Sequence, residues 1–481
     1  MWCQFRAAGD AVLLILELCI VSWSLLLPCP TEDLEKNGEG DALIETVRQI
    51  TEALIWGEQA NHSQFFDFFC EKSIFSDLVH VLGLKRASKK VKLQLLQTLS
   101  MLIQNIHRQT SVYYILSNNH VNKLMSTNMD FDDEEVLAYY ITLMKSLAMR
   151  LDNESIKFFF IQHPEPSFPL YIEATKFFSH RDHMVRATVR TITLQVYKIE
   201  DQPMRRFVLR HAAESYFSQL AYHLQDLWLR LDTAAAKATG EDNLSAVQRE
   251  NELQQDLQIY LSDVFELGID ELNEVLADRL LNAAILPVLL AGLTASPPQR
   301  EGGTARTLAP HVSLFLVRQV LDTFHCPVLL EPMAQALLWS SVPAALAYVL
   351  PGQVASVPSG HGADFVQNPL QDNFMTTLRS SEDRTFLMAA SVIHSCTVKR
   401  KVFSSDFLTT AQVLPKQSAA SKSSSASSAS RSKAATSPAH SDTLPQALSL
   451  LLQAISERMS WQPKPYMALA IHSALGCWKL T

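Results

Sequence analysis

Four stretches of the chain repeat one spacing of apolar residues, and this repetition restricts the fold more than any other feature of the sequence. In each stretch the apolar positions advance by four, three and four residues, which places them on one face of an α-helix. The sets are Leu43/Val47/Ile50/Leu54, Leu95/Leu99/Leu102/Ile106, Val136/Tyr140/Leu143/Leu147 and Val185/Val189/Ile192/Val196.

The distance between these sets is close to that of known helical repeats. They start at positions 43, 95, 136 and 185, so 41 to 52 residues separate one from the next. HEAT and armadillo repeats contain about 40–47 residues, each with two or three helices. A low glycine content, 14 in 481 residues, also favours helix. The sequence therefore predicts an all-α fold, a HEAT/armadillo-like helical-repeat solenoid with a disordered Ser-rich segment.

Shifts in composition divide the remaining chain. The run at 415–443 is rich in Ser and Ala, and such a segment cannot bury enough apolar surface to offset its ordering entropy. The expected parts are an apolar N-terminal segment (1–30), a domain of helical repeats (31–200), further repeats (201–345), a linker (346–385), a helix (386–414), the disordered segment (415–443) and a helical hairpin that ends abruptly (444–481).

The apolar N-terminal stretch, Ala11 to Leu27, permits three interpretations. It could be a membrane anchor, a cleaved signal, or an artefact of the gene model. It is shorter than the ~20 residues that span a bilayer, and Glu17 lies in its middle. The sequence alone leaves all three open.

Polar clusters in the sequence have simple structural explanations. Asp132 and Glu135 have the spacing of a capping box at a helix N-terminus. His180 and His183 are three residues apart but lack a nearby third ligand, so we expect a solvated turn rather than a metal site. The chain lacks the phosphate-binding and nucleophile motifs G-x-x-x-x-G-K-[ST], G-x-G-x-x-G and G-x-S-x-G. We therefore expect no catalytic residue, no cofactor and no metal.

Charge and cysteine content restrict the class of protein further. The net charge is −8 and no dense basic stripe occurs, so composition gives no support for nucleic-acid binding. The seven cysteines are scattered, with no pair at the spacing of zinc ligands, and this pattern is typical of reduced thiols in a cytosolic protein. Runs of phenylalanine, such as those at 65–69 and 158–160, are expected mainly as core between repeats, with a groove for a partner peptide or a membrane-touching edge as the alternatives.

The segment from Phe168 to Ile199 carries the most specific pattern. It opens with Phe168-Pro169-Leu170, where Pro169 suits the first turn of a helix. Asp182 before Val185-Arg186 resembles the opening of HEAT-type repeat helices. Arg186 and Arg190 lie together on a stripe beside the apolar face, where they could bind acidic residues of a partner or form an internal ladder.

These residues resemble the FPL-domain family, which is named for the Phe168-Pro169-Leu170 triplet. The resemblance extends from about Leu43 to Lys198. It includes six blocks in order: ETVRQITEALIWGEQ (45–59), FFDFFCEK (65–72), LQLLQTL (93–99), YYILSNNHVN (113–122), FDDEEVLAYYI (131–141) and MVRATVRTITLQVYK (184–198). The family includes the endosomal maturation defective (Ema) proteins of animals, and plant members that act in Golgi-to-vacuole traffic. This chain is expected to be a truncated member of the plant or algal type.

The resemblance implies a function that the residues alone do not. It implies a non-enzymatic, cytoplasmic scaffold, peripheral on endosome and Golgi membranes, that supports endosomal maturation, transport to the vacuole or lysosome, and autophagy. Its partners would belong to vesicle tethering or small-GTPase regulation, with no nucleic acid. Two alternatives stay open: a substrate adaptor of a ubiquitin ligase, and a membrane-anchored protein of the secretory pathway.

Overall fold

The fold is known from a computed structural model of the chain. It describes residues 17–21, 39–84, 87–117, 119–127, 129–238, 241–294, 307–343, 346, 365–380, 382–404, 406–411, 413, 449–450, 452–453 and 455–456. The chain divides into two compact units, Met1–His211 and Ala212–Thr481.

The described part of the first unit is built of helices. They are α1 (Glu39–Gln59), α2 (Ser63–Glu71), α3 (Ile74–Gly83), α4 (Lys89–Asn105), α5 (Gln109–Leu116), α6 (His120–Met125), α7 (Glu134–Ala148), α8 (Ile156–Phe159), α9 (Pro169–Thr175), α10 (His183–Tyr197) and α11 (Gln202–His211).

Four of these helices form a stack that runs through the unit. Helix α1 packs on α4, α4 on α7, and α7 on α10. The sixteen residues of the repeated apolar spacing are all buried, and Val189 and Leu143 have no exposed surface. The predicted helical repeats and their side-by-side packing are therefore confirmed. Shorter helices follow the stacked ones along the chain; for example, α5 and α6 connect α4 to α7.

Short polar side chains begin three of the stacked helices. Ser88 accepts a hydrogen bond from the backbone N–H of Val91 at the start of α4, and Asp182 accepts one from Met184 at the start of α10. At the start of α7 the capping residue is Asp133, whose carboxylate accepts from the N–H groups of Glu135 and Val136. The predicted cap is therefore correct in kind, but it lies one residue after Asp132.

Two stretches of the first unit are each divided between two helices. The Phe-rich stretch 65–84 forms α2 and α3, because the chain turns at Ser73, which has a left-handed backbone with a φ of 55°. The stretch 111–123 forms the end of α5 and most of α6, separated by a turn in which Asn119 has a φ of 60°. Local polar residues that tolerate such turns interrupt the apolar pattern at both places.

Side chains of one repeat hold the backbone of the next. Glu58 at the end of α1 accepts hydrogen bonds from the N–H groups of His107 and Arg108, which precede α5. Arg150 after α7 donates to the carbonyls of residues 103, 104 and 106 at the end of α4. Both contacts satisfy backbone groups that a helix end leaves unpaired. They join neighbouring repeats at their ends.

The second unit is also helical where it is described. Its helices are a π-helical turn (Ala212–Tyr216), α12 (Phe217–Lys237), α13 (Glu241–Glu266), α14 (Asp270–Leu280), a π-helical segment (Leu281–Leu289), a 3-10 turn (Leu290–Leu293), α15 (Pro310–Thr323), α16 (Pro327–Leu338), α17 (Pro369–Thr377), α18 (Asp383–Val398) and α19 (Phe407–Thr410). Two strands, β1 (Ser341–Pro343) and β2 (Phe365–Gln367), form an antiparallel pair with Val342 opposite Val366.

The structure differs from the sequence interpretation at the expected linker, 346–385. Part of this stretch folds: β2 pairs with β1, and α17 buries Leu370 and Phe374 against its neighbours. Asn368 fixes the start of α17, since its side chain donates to the carbonyls of Ala336 and Trp339 and accepts from the N–H of Leu370. Helical periodicity is missing from this stretch because part of it forms a strand and a tight turn. Local sequence pattern does not distinguish these elements from a linker.

The ends of the chain fall largely outside the described residues. The Ser/Ala-rich segment 415–443 lies outside them entirely, and so does most of the hairpin expected at 444–481. Of the stretch Ala11 to Leu27, only 17–21 is described; it is helical, with Cys19 and Ile20 buried, and the Cys19 thiol lies 3.1 Å from Oε1 of Gln49 in α1.

One helical run among the described residues has the length and apolar character to cross a bilayer. It is Asp270–Leu293, and 61% of its most apolar window is buried by the protein's own side chains. Core helices of soluble domains have the same property.

Candidate functional cleft

A cleft of the first unit lies where α6, α8 and the start of α11 meet. It has a volume of about 420 Å³. Its lining combines apolar side chains with amides and two charged groups: Leu116, Asn119, Asn122, Ile156, Lys157, Phe158, Phe160, Ile161, Gln162, Asp201 and Pro203. Clefts of about 300–1,000 Å³ with mostly apolar walls and a few polar groups are typical of binding sites.

One wall of the cleft is a short piece of extended chain, Phe160–Gln162. Its central residue, Ile161, forms an antiparallel bridge with Ser167, in which each residue donates its N–H to the carbonyl of the other at 2.8 Å. This bridge closes a hairpin-like loop at 161–167 and fixes the direction of the wall.

The family triplet holds this wall in place. Phe168 and Leu170 have no exposed surface, and Pro169 occupies the first turn of α9, as the sequence predicted. The ring of Phe168 lies 6.4 Å from that of Phe160 and 6.1 Å from that of Tyr171. The triplet is therefore buried, and it supports the cleft from behind without lining it.

A buried amide lies at the base of the cleft. Asn122 is 3% exposed, and its Nδ2 donates to Oδ1 of Asn119 at 2.9 Å and to the carbonyl of Phe158 at 3.1 Å. Its Oδ1 is buried and has no hydrogen-bond partner among the described residues. A buried acceptor without a partner is uncommon, and it costs about 1–3 kcal/mol.

The two charged groups of the lining have different surroundings. Lys157 is exposed, and its ammonium lies 5.8 Å from the ring centroid of Tyr113 and 5.4 Å from that of Phe158, within the range of a cation–π contact. Asp201 begins α11 and accepts a hydrogen bond from the N–H of Met204, so the positive end of that helix offsets its charge. Lys157 is therefore the more exposed of the two charged groups of the cleft.

The arginines singled out from the sequence lie elsewhere. Arg186 is 8% exposed, and its guanidinium donates to the carbonyls of His180 and Arg181, which closes the turn before α10. Arg190 is half-buried on the same helix. Neither arginine lines the cleft, and the burial of Arg186 leaves little of it for a partner.

The described residues contain no group of three His, Cys, Asp or Glu side chains placed to hold a metal ion. The Nδ1 of His180 accepts from the N–H of Asp182, as expected for a turn residue. Burial raises the pKa of the Cys70 thiol to about 12, so this cysteine stays protonated at neutral pH, whereas a reactive thiol needs a lowered pKa.

The sequence interpretation found part of this site. It noted the phenylalanine run at 158–160 and weighed a partner groove against core; the structure buries Phe159 and leaves Phe158 and Phe160 half-buried in the cleft lining. It did not find Asn122 or Lys157. The break at Asn119 was a local signal, but nothing in the sequence indicated that it would meet residues almost forty positions later.

Comparisons with known proteins agree with the motif. Residues 47–197 match the FPL family, described as an uncharacterised conserved protein, and residues 243–348 match the CLEC16A helical domain. An engineered protein of known structure aligns with 98% of this chain and 99% of its own, at 11% identity and with a TM-score of 0.29, which is too low to indicate a shared fold.

Three curated relatives are similar to part of this chain. Protein CLEC16A of Homo sapiens is 40% identical over 300 residues, which are 62% of this chain and 28% of that protein. The CLEC16A homolog of Drosophila melanogaster is 44% identical over 273 residues, 55% of this chain and 25% of that protein. Protein TRANSPARENT TESTA 9 of Arabidopsis thaliana is 32% identical over 286 residues, 58% of this chain and 33% of that protein.

The aligned region is thus a third or less of each relative's length. Identity is higher to the two animal proteins than to the plant protein, which does not favour the expected plant or algal type. The cleft lies within the FPL match except for Asp201 and Pro203. Residues 47–197 therefore form an FPL domain, and CLEC16A proteins and TRANSPARENT TESTA 9 are among the homologues of the chain.

Proposed function

We propose that this protein is a non-enzymatic helical scaffold in endomembrane trafficking. It acts by binding proteins on the cytosolic face of endosomes and the Golgi, in endosomal maturation, transport to the vacuole or lysosome, and autophagy. The observation that carries the proposal is the FPL match over residues 47–197, because the FPL resemblance implies this cellular role.

The architecture of the first unit supports a binding role. Stacked helical repeats expose a continuous surface, and such surfaces are commonly used to hold other proteins. The contacts of Glu58 and Arg150 with neighbouring repeats stiffen the stack. A stiff surface loses less entropy when a partner binds. The mixed lining of the cleft, half apolar and half polar, suits recognition of a protein segment.

Proximity labelling with the full chain in cells tests the proposal. We expect labelled proteins to be enriched in vesicle-tethering factors and regulators of small GTPases, and the protein to sediment with endosomal or Golgi membranes. Carbonate washing should release it, as it releases proteins held by other proteins rather than by lipid insertion. Labelling that matches a freely diffusing control protein, with no membrane fraction, would refute the scaffold.

The same experiment addresses the ubiquitin-ligase alternative. Enrichment of ubiquitin-conjugating and ligase enzymes in place of tethering factors would favour the substrate adaptor. In that case the stack would recruit a substrate, and the cleft would remain a binding site with a different occupant.

A further inference from the structure

Three groups in the cleft have capacity for a ligand that the described residues do not use. They are the outer edge of the extended wall Phe160–Gln162, the Oδ1 of Asn122 and the ammonium of Lys157. The groups differ in chemistry: a main-chain edge, a neutral acceptor and a cation. Each restricts what the cleft can hold.

The edge follows from the geometry of the bridge. In an antiparallel pair, the N–H and C=O of one residue point to the partner strand, and those of the next residue point away. Because Ile161 pairs with Ser167, the carbonyl of Phe160 and the N–H of Gln162 point to the opposite side. Neither group has a partner among the described residues. An unpaired edge of this kind is a template for another extended chain.

The orientation of the Asn122 amide is fixed by its own contacts. Its Nδ2 donates to two acceptors, the Asn119 side chain and the Phe158 carbonyl. If the nitrogen and oxygen of Asn122 were exchanged, its oxygen would face two other acceptors, Oδ1 of Asn119 and the carbonyl of Phe158. The observed orientation is therefore the stable one. The unpaired Oδ1 therefore calls for a donor from a ligand.

Lys157 forms no ion pair with the described residues, and the carboxylate of Asp152 acts on its charge only at longer range. No carboxylate of the described residues lies within 4 Å of its ammonium, which contacts only aromatic rings. The nearby Glu154 is engaged by the hydroxyl of Tyr113 at 2.7 Å. A ligand with an acidic group would complement this lysine.

We propose that the cleft binds an extended, acidic peptide segment of a partner protein, which pairs main chain to main chain with Phe160–Gln162 and places a carboxylate near Lys157. The peptide's N–H groups supply donors for the Phe160 carbonyl and the Asn122 oxygen, and its apolar side chains cover Phe158 and Phe160. This mode is strand addition to an exposed edge. It rests on the proposed function as a protein-binding scaffold and names the chemistry of one of its partners.

Affinity selection with the full chain tests the peptide chemistry. Three pools of acetylated and amidated octapeptides are used, randomised at every position except a central Asp, Ala or Lys. Peptides retained on the immobilised chain are identified by mass spectrometry. We expect the Asp pool to be retained most and the Lys pool least. Addition of a retained peptide should slow hydrogen exchange of the Gln162 amide.

Two pairs of variants identify the contacts. Gln162→Pro removes the edge N–H, whereas Gln162→Ala keeps it, and we expect only the proline variant to weaken binding, by roughly fivefold to tenfold. Lys157→Glu should reverse the preference between the Asp and Lys pools, whereas Lys145→Glu on α7 makes the same charge change away from the cleft and should not. Melting temperatures within about 2 °C of wild type would show that the variants fold.

Several results would overturn the proposal. They are equal retention of the three pools, equal binding by Gln162→Pro and Gln162→Ala, or an unchanged preference in Lys157→Glu. Retention of no peptide at millimolar concentration would overturn it as well. None of these results bears on the membrane association and proximity labelling that test the scaffold, so the two proposals can fail separately.

Discussion

At the scale of single residues, burial rather than chemical type decides which side chains contribute to the stability of the fold. The repeated apolar positions of α1, α4, α7 and α10 have at most 5% exposed surface. Other residues of the same helices are exposed, for example Met184, which is 68% exposed. The same substitution should therefore reduce stability strongly on the buried face of a helix and hardly at all on its exposed face.

Val189→Asp tests this contrast in α10. Val189 has no exposed surface, and an unpaired charge there should destabilise the unit by several kcal/mol, on the order of 3–5. Met184→Asp places the same charge on the exposed first turn of the same helix, where it should change stability by less than about 0.5 kcal/mol. Urea unfolding measures both. Equal midpoints would contradict the assigned core face.

Gly57 is the residue whose small size α1 requires at its contact with α2. A Cβ atom at this position would lie 2.9 Å from the Cβ and Cγ atoms of Phe65, closer than normal packing permits. Gly57→Ala would gain up to about 1 kcal/mol of helix propensity in isolation. We expect a lower melting temperature instead, because Phe65 is fully buried and cannot move aside.

The double variant Gly57→Ala/Phe65→Ala provides the check on that interpretation. Alanine at position 65 removes Cγ and the ring, so only one of the close contacts of the new methyl group remains. The pair should lose less stability than the sum of the two single changes, as neighbouring residues couple. Two results would contradict this interpretation: a loss of stability in the double variant equal to the sum of the two single losses, or a higher melting temperature for Gly57→Ala alone. Either would show that α1 and α2 are packed less tightly at this contact.

At the scale of elements, polar contacts between helix ends set how one repeat sits on the next. Arg150 donates three sets of hydrogen bonds to the carbonyls at the end of α4. At the other ends of the stacked helices, Lys89 of α4 pairs with Asp133 and Glu135 of α7, and Glu134 of α7 pairs with Arg181 before α10. These pairs are exposed, so each should contribute little alone.

Arg150→Met should loosen the stack. Burial lowers the pKa of Arg150, and its guanidinium is held by carbonyls that would be left without these donors. We expect a loss of about 1–3 kcal/mol, with faster amide exchange at the start of α5, which follows the freed carbonyls. Lys145→Met, an exposed change on α7, is the control. Equal stability of the Arg150→Met and Lys145→Met variants would contradict the role of Arg150 as a cap.

The cap of α7 should respond to acid. Hydrogen bonding by Lys89 holds the pKa of Asp133 below its usual range, and the N–H groups of the helix add to this effect. A lowered folded-state pKa stabilises the protein above the unfolded value of about 3.9 and loses this effect as the pH falls through the folded-state pKa. Asp133→Asn keeps the cap acceptor without the charge.

Urea midpoints of the wild type and of Asp133→Asn measure this contribution. They should differ at pH 7 and converge as the pH is lowered below about 3.9. A constant difference across that range would mean that the charge of Asp133 does not contribute.

At the scale of the whole molecule, the proposed association with membranes can be tested at the apolar N-terminal stretch. Residues 17–21 of the apolar N-terminal stretch lie against α1, with Ile20 2% exposed. The FPL domain match begins later, at residue 47. If binding surfaces of the helical units recruit the protein, its association with organelles should not depend on that stretch.

Deletion of Met1 to Pro30 tests this expectation. The shortened protein should stay with the membrane fraction, and its melting temperature should fall slightly, since Cys19 and Ile20 no longer cover α1. Release of the shortened protein into the soluble fraction, together with resistance of the intact protein to carbonate washing, would contradict it and favour an anchor. Glycosylation of Asn153 would contradict the cytosolic orientation.

The sequence by itself determined the helices of the repeats, their buried faces and the resemblance to the FPL domain. A spacing of four, three and four is local information, since the helix repeat fixes which side chains share a face. The helix start at Asp182 could likewise be predicted from the few residues that follow it. The FPL resemblance, carried by short blocks in order, agrees with the match over 47–197.

Tertiary structure alone decided the cleft and the folded part of the expected linker. The cleft joins Asn122, Lys157 and Asp201, which are distant in the chain and meet only because α6, α8 and α11 pack together. The pairing of β1 with β2 joins residues on either side of a long interval, and three-residue strands leave no periodic signal. In both cases the determining contacts are long-range, and local sequence pattern carries no information about them.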